Sequence, residues 1–103
     1  MQNKKVLSML GIAAKSGKVV SGEFSTEKAV KSHQAYLVIL SEECSENTRK
    51  KFTNMTDFYQ VPVYTYGAME ELGKAIGKQF RASLAITDEN LAKAVEKLLR
   101  NEN

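Results

Sequence analysis

The stretch Ala35-Tyr-Leu-Val-Ile-Leu-Ser41 is a continuous, mainly apolar run set between the polar pairs His33-Gln34 and Glu42-Glu43. A run this short, flanked this way, reads as a strand buried on both faces. Such a strand needs a covering layer on each side, and the neighbouring segments are built to supply one. Before it, Ser21 is placed to cap a helix reaching about His33, with Phe24, Ala29 and Val30 on its inner face. After it, Ser45 is placed to cap a helix through Arg49, Phe52 and Met55.

Further out the same alternation continues. Val6, Leu7, Met9, Leu10, Ala13 and Ala14 recur at helical spacing up to a stop at Gly17, and a short extended piece, Lys18–Val20, follows. Val61–Tyr66 is β-branched and aromatic with Pro62 near its start, which suits a strand near a sheet edge. Met69–Ile76 reads as a short helix stopped by Gly77, and Ala82–Thr87 as another buried strand. Asp88 then caps a last helix striped by Leu91, Ala94, Val95, Leu98 and Leu99. The order α-β-α-β-α-β-α-β-α predicts an α/β fold, a three-layer α-β-α sandwich around a four-stranded sheet that is mostly parallel or mixed. With 103 residues and no linker or repeat, one domain spanning residues 1–103 is expected.

Composition narrows the chemistry. No apolar run approaches a membrane span, no signal-peptide block follows Lys4 and Lys5, and Cys44 lacks a disulfide partner, so a cytoplasmic protein is expected. One histidine and one cysteine cannot supply four-ligand zinc spacing. His33 sits near a helix C-terminus, where the dipole favours an imidazolium in a structural role. Cys44 has no base nearby in sequence and reads as a buried thiol. Gly11–Lys18 and Gly67–Lys74 imitate a phosphate loop, but Val19 and Ala75 replace the hydroxyl residue that magnesium needs, and neither first glycine follows a strand in the required way. Glu42, Glu43 and Glu46 precede or enter a helix, where its dipole favours acids without any ligand. No catalytic residue, metal or cofactor is expected.

The charge points elsewhere. The chain carries a net charge of +3. From Met1 to Lys31 there are six cations against Glu23 and Glu27, while the remainder is nearly balanced. A positive end of this kind suits a polyanion, whose bound counterions are released on contact. Within it, a glycine-punctuated loop, Ser16-Gly-Lys-Val-Val-Ser-Gly22, runs into a helix N-terminus that offers free N–H groups to an anion. Lys28 and Lys31 lie on neighbouring turns of one face, where both could follow a phosphate backbone.

The element order, the SGKVVSGE segment, SEECSENTRKK and ELGKAIGKQFRASLAIT together resemble the kink-turn-binding ribosomal protein family of archaeal L7Ae and eukaryotic L30e. The bacterial YlxQ-type branch is the most similar, and the resemblance runs from about Lys4 to Leu99. It implies an L30e-like sandwich that binds structured RNA: kink-turns, bent helix-bulge-helix elements with tandem sheared G·A pairs, in ribosomal RNA or an mRNA leader. In that family the N-terminal end of the second helix enters the groove at the G·A pairs. Gly22 and Lys28 match the family pattern, whereas Phe24 and Ser25 stand where it has base-reading polar residues. The loop Lys78-Gln79-Phe80-Arg81-Ala82 corresponds to one that covers bases splayed from the bulge, and an aromatic and an arginine suit such stacking. The implied RNA contacts are Lys18, Ser21, Gly22, Glu23, Phe24, Ser25, Lys28, Lys31, Phe80, Arg81 and Ala82, in a protein expected to be monomeric. The alternative is a protein-interaction or regulatory module on the same fold. A small enzyme or metabolite binder using Glu42, Glu43 and Cys44 is a more distant third.

Overall fold

The computed structural model describes residues 4–101; the first three and last two residues of the expected domain lie outside the described residues. The chain runs α1 (Lys5–Lys15), β1 (Val19–Ser21), α2 (Glu23–Lys31), β2 (Leu37–Leu40), α3 (Glu46–Tyr59), β3 (Val63–Thr65), α4 (Met69–Ala75), β4 (Ser83–Ile86) and α5 (Glu89–Arg100). This is the alternation that the sequence predicts. The strands form one sheet in the order β1-β4-β2-β3. β4 pairs antiparallel with β1 and β2, and β2 pairs parallel with β3, so the sheet is mixed.

The central position of β2 follows from its sequence. All four of its residues are buried, and alternate side chains enter different cores. Leu37 and Ile39 join Val6, Leu10, Leu72, Leu84, Ile86, Val95 and Leu99 beneath α1, α4 and α5. Val38 and Leu40 join Ala29, Val30, Phe52 and Ala85 beneath α2 and α3. β3, preceded by Pro62, is an edge strand as expected. Ser45 caps α3 by accepting from the Thr48 amide at 3.1 Å. Asp88 caps α5 by accepting from the Leu91 amide at 2.9 Å. Among the described residues, no helix is long and apolar enough to cross a membrane.

Three local expectations need correction. Ser21 does not cap α2: it is the last residue of β1, opposite Leu84, and Gly22 takes the N-cap position. Phe24 is not on the inner face of α2. The buried residues are Thr26, Ala29 and Val30, and Phe24 lies about 200° around the helix from Thr26, with 78% of its surface exposed. In α5 the buried stripe uses Ala92 rather than Ala94, which is exposed.

Because β1, β2 and β3 all run antiparallel to β4 or parallel to a strand that does, their carboxyl ends share one edge with the start of β4. The N-termini of α2, α3 and α4 follow those strands and open at this same edge. There the β1–α2 junction meets the segment entering β4.

Candidate nucleic-acid interface

The first wall of the site is the β1–α2 junction. The Gly22 amide donates to the Ser83 carbonyl at 2.9 Å, carrying the β1–β4 ladder one residue past the strand. The chain then turns into α2 with Gly22 at φ 91° and ψ 159°, a region essentially reserved for glycine. Apart from its two chain neighbours, nothing among the described residues lies within 4 Å of where a Cβ would stand, so the glycine serves the backbone angle and leaves its outer side open. Beyond it, Glu23 and Phe24 are exposed and Ser25 is half-buried, while Lys28 projects from the following turn.

The second wall is the segment between α4 and β4. It doubles back along α4: the Lys78 amide donates to the Gly73 carbonyl at 2.8 Å and the Arg81 amide to the Met69 carbonyl at 3.1 Å. Gly73 makes this return possible, since a Cβ there would sit 1.5 Å from the Gln79 carbonyl oxygen. Held against the helix, the segment presents Phe80 with 62% of its surface exposed. Arg81 joins the two walls. Its Nε donates to Ser21 Oγ at 2.9 Å and its guanidinium also to the Phe80 carbonyl at 2.8 Å.

The expected contact residues are therefore not all brought together. Gly22, Glu23, Phe24, Ser25, Phe80 and Arg81 gather at one edge. Ser21 is engaged by Arg81, and Ala82 is half-buried, its carbonyl accepting from the Ser41 amide at 2.9 Å, so both brace the edge from within. Lys18 lies at the opposite end of β1, about 10 Å from Ser21 at strand rise. Lys31 lies at the far end of α2 and is paired with Glu27 at 2.6 Å. Glu43 does not stand ready for a ligand, because its Oε1 accepts from the Met69 amide at 2.9 Å at the start of α4. His33 packs edge-on against Tyr59, with ring centroids 5.6 Å apart, and Cys44 is a buried free thiol.

The family model described as the ribosomal protein L7Ae/L30e/S12e/Gadd45 family matches residues 4–96. The chain belongs to this family. It is 37% identical to the RNA-binding protein YlxQ of Bacillus subtilis over 99 residues, covering 96% of this chain and 99% of that one. It is 35% identical to the large ribosomal subunit protein eL30 of Methanoregula boonei, covering 69% of this chain and 71% of the relative. A solved protein of unknown function from Bacillus halodurans superposes with a TM-score of 0.92 at 36% identity, covering 95% of this chain and 99% of its own. The 15.5kD RNA binding protein of Giardia lamblia superposes at 0.80 with 18% identity, covering 97% of this chain and 89% of its own, and so shares the fold.

Within this L7Ae/L30e-type scaffold the sequence reading missed Lys51. From α3 its Nζ lies 2.8 Å from Glu23 and 2.7 Å from Glu27, tying α2 to its neighbour. Hydrogen bonds from Lys31 and then Lys51 hold the Glu27 carboxyl at about 2, well below the ordinary value, and the two glutamates raise the Lys51 ammonium. No local pattern marks this contact, since Lys51 and Glu23 are 28 residues apart. Gly73 was read as the second glycine of a false phosphate loop and as part of the family-like stretch ELGKAIGKQFRASLAIT; the backbone it admits was not visible in the spacing.

Proposed function

We propose that this protein binds structured RNA of the kink-turn type at the edge formed by Gly22–Lys28 and Lys78–Arg81, as a single cytoplasmic domain acting as a monomer and without chemistry of its own. The observation that carries this reading is the joining of the two walls by Arg81 and Ser21. It sets an open helix N-terminus beside an exposed aromatic residue, which suits phosphate on one side and an unpaired base on the other. Family membership and the RNA-binding names of the relatives support it. Gly22 and Lys28 are the backbone contacts, Phe80 and Arg81 cover splayed bases, and Ser21 and Ala82 hold the walls in place. The natural target would be ribosomal RNA or an mRNA leader.

The test is a gel shift with a kink-turn RNA and with the same RNA whose G·A pairs are changed to Watson–Crick pairs. Stronger binding to the bent RNA is expected, and equal affinity for both would overturn the kink-turn reading. In the same assay Lys28→Ala should weaken binding and shallow the log–log salt dependence by about one unit of slope.

A further inference from the structure

Phe24 is an apolar side chain left in water. It occupies the first turn of α2 with 78% of its surface exposed. Burying such a ring would stabilise the fold, so its position forgoes stability. Phe24, Lys28 and Lys31 are spaced i, i+4, i+7 and therefore form one outward stripe along α2. Beside the stripe lies an open hollow of about 370 Å³ lined by Phe24, Glu27, Lys28, Lys31 and Ser32. That volume falls at the lower end of the range for small-molecule sites, about 300–1,000 Å³.

The charge around the stripe suits an anionic strand. Glu23 is paired with Lys51, and Glu27 with both Lys51 and Lys31, so the two carboxylates of this helix are already compensated. Lys28 has no ion pair among the described residues. Phenylalanine has neither donor nor acceptor and cannot read a base edge. Its ring face can stack on any base.

We infer that Phe24 is a stacking platform for one unpaired RNA base, with Lys28, one turn on along α2, receiving the phosphate beside it. This rests on the RNA-binding reading above and deepens it. The first turn of α2 would then recognise that a base is unpaired, with little regard to which base it is.

The experiment places 2-aminopurine at each unpaired position of a kink-turn RNA in turn and follows its fluorescence as the full chain is added. One position should change on binding wild-type protein. Phe24→Ala should abolish that change and weaken binding by about 10-fold, within the range for loss of one base–aromatic stack. Phe24→Leu should behave like Phe24→Ala, Phe24→Tyr should restore both signals, and neither Phe24→Ala nor Phe24→Leu should alter the salt slope. Wild-type affinity and fluorescence in Phe24→Leu would overturn the stacking role while leaving RNA binding intact. Failure of the wild-type chain to bind any RNA would overturn the RNA reading and this inference together.

Discussion

The two walls of the site meet across a single arginine, yet glycine holds them in place for opposite reasons. At the β1–α2 junction Gly22 is needed for its backbone angle, with φ 91° and open space where a side chain would go. In α4, Gly73 lies in an ordinary helical stretch and is needed for its missing side chain, because the returning segment passes within contact of its Cα. One wall is fixed by what the chain must do locally. The other is fixed by what must pass beside it. The first kind of glycine is visible from a strand-to-helix turn, and the second only from tertiary packing.

Gly73→Ala should have the largest effect of any change to either wall. Helix propensity alone would favour alanine by about 1 kcal/mol. The contact opposes it, because the new methyl group would meet a backbone carbonyl that has no side-chain freedom to yield. A net destabilisation near the upper end of the overpacking range, about 3 kcal/mol, is expected in urea unfolding. Should the segment instead swing away to relieve the clash, stability would recover in part, while Phe80 and Arg81 would lose their positions and RNA affinity would fall. A variant that is both as stable and as tight-binding as wild type would contradict the packing role.

Gly22→Ala tests the other wall and should cost less, about 1–3 kcal/mol, as strain at a conformation that alanine rarely adopts. Nothing is displaced by the added methyl group, so the sheet and the returning segment should stay in place. Amide exchange should therefore quicken at position 22 and in the first turn of α2, and remain unchanged at Lys78 and Arg81. Equal loosening of both walls would mean that Arg81 couples them more tightly than their separate supports suggest.

These two glycines also mark how far the sequence could be read. The fold was legible because β2 is apolar throughout and because polar caps such as Ser45 and Asp88 punctuate the helices where periodicity changes. The first wall was legible in part: Gly22 and Lys28 lie within seven residues of one another and obey local rules. Phe24 was misplaced because an aromatic near a helix start was assigned to the inner face. The buried spacing of Thr26, Ala29 and Val30 turns that position outward. The Arg81–Ser21 bond joins residues 60 apart, and the Lys51–Glu23 bond joins residues 28 apart. Neither leaves a local trace, since a lysine or arginine on a helix or loop looks the same whether it meets a carboxylate or water.

The smallest expected effect concerns the electrostatic support of the first wall. Glu27 is held at about 2, first by Lys31 and then by Lys51. A carboxyl whose folded-state pKa is depressed stabilises the fold above its unfolded value and loses that contribution as pH falls toward the folded value. The window therefore runs downward from roughly pH 5 to pH 2. Over it the wild type should lose slightly more thermal stability than Glu27→Gln, which has no such charge to neutralise. The difference should shrink in high salt, because these groups are solvent-accessible and screened. In amide exchange across the same window, loosening should appear in α2 and at its contact with α3, since Lys51 is the link between them. The Lys78–Arg81 segment is held to α4 by backbone bonds and to Ser21 by an arginine facing a hydroxyl, and none of these bonds involves Glu27. If that segment loosened first, the division between a locally determined wall and a packed one would have to be redrawn.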